Sequence, residues 1–550
     1  MFKTGLLILL VLAFLRLSGE AGNIPAGSVT VGKKIVILGE KGCTGGTPSP
    51  DELKSIGVEK RDALPVNGLM YNISNNGGHF CNLPMNTRNE ITYEMLKPDI
   101  DLMSSFQFKN LTDNFVRLNI SADLTADWYN DDEWAKILTK VRIASRAARE
   151  GKAAGFVLDN EQYNSQPFNY TAQAHRKEKS FSQYRQQVRK RGKEFMQALS
   201  SSFPHPPVIM FFCNSILYSK EKMPLLSVTS FGLWPDFLDG MMDGDPGAGF
   251  FDGYEASYHY RSYAQFAEAR DIIKNKAAVF SSNPARYKKL IKVGFGLWLH
   301  AMDKGEYDVN PTDFTKNSYT PEEFKHALHY ALLLSDGYVW LYSVPWFVPL
   351  PAEYMAAVKE ARNPQALDFK PLERKEDKRG GYILSAKGRP DCQDGVVFAP
   401  YRNAGYVELY DFPKKWRFRL DPQDVGEKEK WYTQYTPKDW MDIEIGEWWE
   451  PQLNANYYGT AWYRFQFDAP KEWKGEKLYL TFGAIDEEGW IWINGNKAGD
   501  HNVGPEGWNS SFDIDVTSMI LSGKTNTVVV KVYNSAGVGG IFKAVKIFTK

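Results

Sequence analysis

The chain has 550 residues, of which 43% are hydrophobic and 24% charged, with 66 basic side chains balanced by 66 acidic ones. That length calls for two or three domains, each with enough apolar content for its own core. The balanced charge gives no sign of the basic face that counterion-driven nucleic-acid binding needs, and no nucleic-acid partner is expected.

At the N terminus, Met1-Phe2-Lys3 precedes an apolar run over 6–15 and small residues around 19–22. A basic start, a short apolar stretch and a small-residue end read as a signal peptide over 1–22, which predicts a secreted or periplasmic protein. The run is short for a bilayer crossing, and no other stretch reaches that length, so no membrane span is expected. The four cysteines, Cys43, Cys81, Cys213 and Cys392, have no metal-ligand spacing, and neither a metal nor a cofactor is expected. A Cys43–Cys81 bridge is compatible with export. Cys213 follows Val208-Ile-Met-Phe-Phe212 and reads as a buried thiol.

From residue 30 to 362, apolar runs with β character alternate with helical stretches. The runs lie at 34–38, 68–71, 115–120, 155–158, 208–212, 249–254, 292–298 and 338–342. Helical spacing marks 131–149, 180–199 and 263–278, and Thr320-Pro-Glu-Glu323 has the form of a helix cap. Continuous apolar strands separated by helices imply a parallel sheet. Eight such runs fit a (β/α)8 TIM-type barrel, with an open doubly wound sheet as the alternative. Residues 39–67 are rich in turn formers and show no helix, and the basic stretch 185–193 reads as a solvated helix face.

Residues 363–394 are charged, with turn formers at both ends, and read as a connecting segment. Over 395–550 the pattern changes to short alternating strands bounded by Gly, Asn, Asp and Pro, which predicts an all-β jelly-roll sandwich. Within it stand Ala461-Trp-Tyr-Arg464, Trp492-Ile-Asn-Gly495 and Phe512-Asp-Ile-Asp-Val-Thr517. That succession resembles the galactose-binding-like sugar-binding domain of family 2 glycoside hydrolases. Here the module follows the barrel, whereas in that family it precedes the catalytic barrel. The resemblance implies a carbohydrate-active chain, and family 2 modules can lend residues to a neighbouring site, for which Asp486, Glu487, His501 and Asn502 are suitably loop-borne. The aromatic content of 14%, with 16 Trp and 29 Tyr, suits sugar stacking and β cores alike. Alternation puts Trp490 and Trp492 on one face, where core packing is the favoured reading.

Glycoside hydrolysis needs two carboxyl groups flanking the scissile bond, and a barrel offers them at strand C-terminal ends. Two segments fit. In Gly155-Phe-Val-Leu-Asp159-Asn160-Glu161-Gln-Tyr163, a strand runs into two acids that its period places on one side. In Phe250-Phe-Asp252-Gly-Tyr254-Glu255-Ala-Ser-Tyr258, acids interleave with tyrosines. Asp159, Glu161 and Glu255 are the catalytic candidates. Asn119, Asn160, Tyr163, Asn214, Asp252, Tyr254, Tyr258, Trp298 and Trp340 are candidates for holding the sugar. Asn160-Glu161 is similar to the Asn–acid pair of clan A glycosidases, although residues 292–300 carry no matching acid. Acids on the fourth and sixth strands are similar to clan D barrels, which would map to Asp159 and Glu255. Glu255 therefore pairs with either Asp159 or Glu161. The chain lacks GxSxG, HxH, HExxH, P-loop and GxGxxG patterns, and His326 and His329 read as packing or surface residues. The competing reading is a non-catalytic glycan-binding protein, with a polysaccharide lyase third.

Overall fold

The computed structural model describes residues 30–39, 47–75, 78–79, 85, 90–120, 126–162, 165–219, 224–300, 309–343, 350–363, 392–433, 440–453, 457–504, 507–535 and 537–550. The expected signal peptide, Cys43, Cys81, Tyr163 and residues 364–391 lie outside them.

The apolar runs become parallel strands β1 (Lys34–Gly39), β2 (Gly68–Tyr71), β3 (Phe115–Asn119), β4 (Gly155–Asp159), β5 (Pro207–Met210) and β6 (Gly249–Asp252). They continue as β7 (Ile291–Val293), β8 (Phe295–Leu299) and β9 (Tyr338–Ser343). Each of the first six pairs with the next in chain order, β8 pairs with β9, and β9 returns to β1 with Lys34 opposite Tyr338. Only Gly294 separates β7 from β8, and its N–H donates to the Asp252 carbonyl at 2.8 Å. The run 291–299 therefore pairs with β6 through its first half and with β9 through its second. The sheet closes on itself as a TIM-type barrel, and closure removes the doubly wound alternative, which needs two free edges.

Strand alternation splits the apolar side chains into two packed layers. Val36, Met70, Val157, Ile209, Phe251 and Trp340 fill the barrel interior. Ile35, Leu69, Val116, Phe156, Val208 and Phe250 face the surrounding helices. Those helices are α1 (Pro50–Ile56), α2 (Tyr93–Ser105), α3 (Asp131–Glu150), α4 (Phe181–Leu199), α5 (Trp234–Gly244), α6 (Tyr263–Asp271), α7 (Pro321–Leu334) and α8 (Ala352–Glu360). The Thr320 cap is present: its hydroxyl accepts from the Glu323 N–H at 3.3 Å, and Glu323 accepts from the Thr320 N–H at 2.8 Å.

Two expectations are corrected. Residues 39–67 do contain helix: Ser49 and Glu52 form a capping box on α1, a seven-residue element too short to display an amphipathic period. The basic stretch 185–193 is a solvated face only in part: Lys190 and Lys193 are exposed, but its arginines are engaged. Arg185 donates from Nε to Asp236 and Arg189 from Nε to Asp243, both on α5 and both at 2.8 Å, and Arg191 is buried with its Nε on the Trp128 carbonyl. The helices approach closely at glycines, since a Cβ on Gly192 would lie 2.1 Å from the Phe237 oxygen. The partner acids are some fifty positions away, beyond the reach of a periodicity argument. His326 and His329 are buried within α7, against Glu322 and the Ala361 carbonyl.

The C-terminal region is a sandwich of antiparallel strands: β10 (Val407–Asp411), β11 (Lys415–Asp421), β12 (Met441–Glu444), β13 (Gly459–Asp468) and β14 (Leu478–Phe482). Then follow β15 (Glu488–Ile493), β16 (Asn496–His501), β17 (Phe512–Asp515), β18 (Thr525–Asn534) and β19 (Val545–Thr549). One sheet runs β10-β19-β14-β17 and the other β12-β11-β13-β18-β15-β16. Asn494 and Gly495 turn the β15–β16 hairpin with φ of 50° and 83°, the left-handed region that this dipeptide tolerates. Trp416, Phe418, Tyr463 and Val530 lie in the core between the sheets. On the outer face, Trp492 packs among Trp431, Trp440 and Trp462, with Trp490 at the edge, so these rings are packing residues. The barrel touches the sandwich through Arg176 Nε on the Pro422 carbonyl at 3.0 Å and a Lys177–Asp424 ion pair at 3.1 Å.

Candidate active site

At the C-terminal end of β4, alternation turns Val157 and then Asp159 toward the barrel axis, and Asn119 of β3 lies in register with Asp159. Arg117, one strand away, points the same way. Its Nη2 donates to Asp159 Oδ2 at 2.5 Å, and its Nη1 donates to Thr47 Oγ1 at 3.1 Å. The second Asp159 oxygen accepts the Glu161 backbone N–H at 3.2 Å. Asp159 is buried at 1% exposure while Glu161 is half-buried. Both Asp159 oxygens are thus engaged within the protein, and Glu161 is the more accessible acid of the two.

Glu255 approaches from beyond β6. Gly253 passes tightly beneath it, since a Cβ there would lie 2.6 Å from the Met210 carbonyl. Tyr254 then sits at φ 42°, ψ 67°, a left-handed conformation costly for a bulky side chain. The strained residue launches a short turn, Glu255–Ser257, that presents Glu255 to the mouth. Ser257 pins this turn to β8, donating to the Gly296 carbonyl at 2.9 Å and accepting the Gly296 N–H at 3.1 Å.

Burial raises the Glu255 carboxyl from 4.5 to about 9, with the Glu161 and Asp159 charges adding to the rise. A hydrogen bond from Tyr258 and the more distant Arg117 charge pull the other way. Glu255 is therefore biased toward its protonated form, close enough to Glu161 and Asp159 to feel their charges. Burial, followed by the Glu255 and Glu161 charges, pushes the Tyr258 hydroxyl well above its usual range, so it remains a donor. Tyr258 leads an aromatic wall. Its ring lies edge-on to Trp298 at 5.6 Å and to Trp340 at 5.4 Å, and parallel to Tyr342 at 6.1 Å. Trp298 stacks on His300 at 4.0 Å.

The structure thus gathers Asp159, Glu161, Glu255 and Tyr258, with Asn119 beside Asp159 and Trp298 on the wall. Other expected sugar-binding residues go elsewhere. Asp252 is fully buried and faces the helical layer, because Phe251 takes the inward position before it. Burial lifts its carboxyl from 3.8 to about 7, opposed by hydrogen bonds from Ser215, the Tyr254 N–H and Cys213. Tyr254 belongs to that outer layer too, since the left-handed turn swings its ring away from the axis. Asn160 is a clamp, donating to the Phe212 carbonyl at 2.9 Å and accepting the Phe212 N–H at 3.1 Å. Trp340 fills the barrel, stacked on Phe211 at 4.6 Å with its Nε1 on the Gly253 carbonyl at 2.8 Å. Asn214 is fully buried at the start of a 3-10 turn, with neither amide atom hydrogen-bonded among the described residues. Cys213 is a buried free thiol, as expected. Among the described residues no group of three or more His, Cys, Asp or Glu is arranged to hold a metal.

Sequence reasoning missed Arg117, Tyr342 and His300. Arg117 had a signal, being a charged residue inside the apolar run Phe115-Val-Arg-Leu-Asn119, where burial is costly without a partner. In the sandwich, Glu487 accepts from the Ser535 N–H and hydroxyl, each at 3.0 Å. Asp486 and His501 are also buried, so none of these three reaches the barrel acids as a free surface group.

Comparison with known proteins bears on the sandwich. The model for the sugar binding domain of glycosyl hydrolases family 2 matches residues 410–543. A β-glucuronidase of Paenibacillus borealis is 27% identical over 135 residues, covering 23% of this chain and 21% of the relative. A β-glucuronidase of Formosa agariphila is 28% identical over 137 residues, covering 23% of this chain and 14% of the relative. A β-galactosidase of Priestia megaterium is 29% identical over 102 residues, covering 18% of this chain and 9% of the relative. The chain spans about a fifth or less of the length of these curated relatives. Among solved structures, the β-glucuronidase from Ruminococcus gnavus is 20% identical, covering 26% of this chain and 29% of that one, with a TM-score of 0.24.

Proposed function

We propose that this chain is a secreted glycoside hydrolase that cleaves an O-glycosyl bond of a poly- or oligosaccharide at the mouth of its barrel. The observation that carries the reading is a buried acid, Glu255, whose carboxyl is raised to about 9 by burial and by the charges of Glu161 and Asp159, at the strand ends of the barrel. Paired carboxyls pushed into different protonation states are what glycosidic cleavage requires. The family 2 sugar-binding match over 410–543 supports a carbohydrate target.

In this mechanism Glu255 gives its proton to the leaving glycosidic oxygen. Glu161 acts from the other side, attacking the anomeric carbon or activating a water. Asp159, with both oxygens engaged, holds Arg117 in place, and its charge helps keep the proton on Glu255. Tyr258, Trp298 and Tyr342 offer ring faces against which a sugar stacks. The matched relatives are named β-glucuronidases and a β-galactosidase, so β-linked hexuronosides and hexosides are the first substrates to assay.

The test compares the full chain with its Glu255→Gln variant on β-linked aryl glycosides and on polysaccharides, following release of reducing ends. Loss of general acid catalysis lowers the rate by about 10²–10⁴-fold. Equal rates in the two proteins would remove Glu255 from the chemistry. Glycan binding without hydrolysis in either would make the chain a binding protein, and unsaturated products absorbing in the near ultraviolet would make it a lyase.

A further inference from the structure

Away from the barrel mouth, the two domains line an open polar cleft of about 230 Å³. Its barrel wall is Gln166, Asn169, Thr171 and Arg176, all on the β4–α4 connection that begins with Asp159 and Glu161. Its sandwich wall is Tyr458, Tyr533, Asn534 and Ser535. Both walls are held from behind. Asn169 accepts from the Thr171 N–H and hydroxyl at 3.0 and 2.8 Å, and donates to Gln166 Oε1 at 2.7 Å. Glu487 takes both Ser535 donors at 3.0 Å, and Arg176 Nε is tied to the Pro422 carbonyl at 3.0 Å. A buried glutamate thus spends its charge positioning a loop of this cavity.

The lining has a definite chemistry. Amides and hydroxyls match sugar hydroxyls, and two tyrosines supply ring faces. Among the described lining residues Arg176 brings the one formal charge, while the Glu487 carboxylate stands behind Ser535 with both its oxygens engaged there. A guanidinium fork is suited to a planar or tetrahedral oxyanion. The volume falls just below the roughly 300–1,000 Å³ usual for small-molecule sites, which suits one ring rather than an extended chain.

We propose that this interdomain cavity is a second saccharide site, binding a single glycosyl unit that bears an anionic substituent, either a carboxylate or a sulfate ester. The proposal rests on the carbohydrate-directed reading above but not on hydrolysis. Because each domain supplies one wall, occupancy also ties the sandwich to the barrel.

Calorimetric titration of the full chain with glucuronic acid, glucose 6-sulfate and glucose tests it. An anionic sugar is expected to bind at least about tenfold more tightly than glucose, and the stronger of the two identifies the substituent. Ala172→Trp, which fills the cavity from an exposed lining position without deleting a hydrogen bond, and Arg176→Gln are each expected to weaken that binding about tenfold or more. Glu255→Gln is expected to leave it in place. Thermal melts establish folding, and Ala172→Trp decides the matter if Arg176→Gln is unstable. No binding of any probe, equal binding of glucose, unchanged binding in Ala172→Trp, or loss only in Glu255→Gln would each overturn the site. Anionic-sugar binding that depends on Arg176, in a chain showing no hydrolysis, would keep this site and remove the catalytic reading instead.

Discussion

Replacing Arg117 by Met tests the electrostatic frame of the barrel mouth most directly. The guanidinium lies 2.5 Å from Asp159, with side-chain exposures of 13% and 1%, so the pair is screened little by solvent. Met keeps much of the stem while deleting the charge, which strands a buried carboxylate. Breaking a buried pair this way costs about 3–5 kcal/mol, against about 0–1 kcal/mol for an exposed pair. A second change, Asp159→Asn in the Arg117→Met background, removes the stranded charge and is expected to recover part of the loss. Denaturation in urea, followed by fluorescence, yields the barrel transition; it must be fitted apart from that of the sandwich, because two domains break two-state behaviour. The double-mutant cycle then isolates the coupling. Arg117 also pulls the Glu255 carboxyl down, so the alkaline limb of the pH–rate profile is expected to move upward in Arg117→Met. A loss below about 1 kcal/mol, typical of a solvated pair, or a double variant no more stable than the single one, would refute the reasoning.

Because Glu255 is raised from 4.5 to about 9, its contribution to stability is full below its unfolded value and is lost as pH rises through the folded one; Glu255→Gln should flatten that decline. Activity of the unmodified chain should fall above about pH 9, and persistence of that limb in the weakened Glu255→Gln profile would show that another group donates the proton. Asp252, raised from 3.8 to about 7, should likewise weaken the fold as pH climbs between those values, and Asp252→Asn should remove that slope, as seen by melting temperature against pH. Trp340→Ala empties the barrel interior and deletes the bond to the Gly253 carbonyl, for an expected loss of about 3–5 kcal/mol; a loss under about 1.5 kcal/mol, the level of a volume-conserving swap, would show that Trp340 is not a packing element.

Much of the architecture is written locally. A strand buried on both faces needs a continuous apolar run, so 155–158 and 338–342 announce themselves without knowledge of their neighbours. The Thr320 cap and the Asn494-Gly495 turn are likewise satisfied within a few residues. Short α1 escaped because about two turns carry no measurable period, and the engaged arginines of α4 went unseen because their partner acids lie on α5.

The site divides along the same line. That Asp159 and Glu161 share a side follows from a strand period of two, a property of the chain alone, and an acid after an apolar strand marks a barrel mouth. Which acids meet is another matter. Asp252 and Glu255 stand three positions apart, yet one faces the helices and the other the mouth, because Tyr254 takes a left-handed turn between them. Arg117 finds Asp159 only because β3 and β4 pair in one particular register. The amino-acid order by itself determined which segments would be strands and which carried acids at their ends. Only closure of the barrel decided how those ends converge, since Coulomb energy and desolvation depend on distances in space that separation along the chain does not encode.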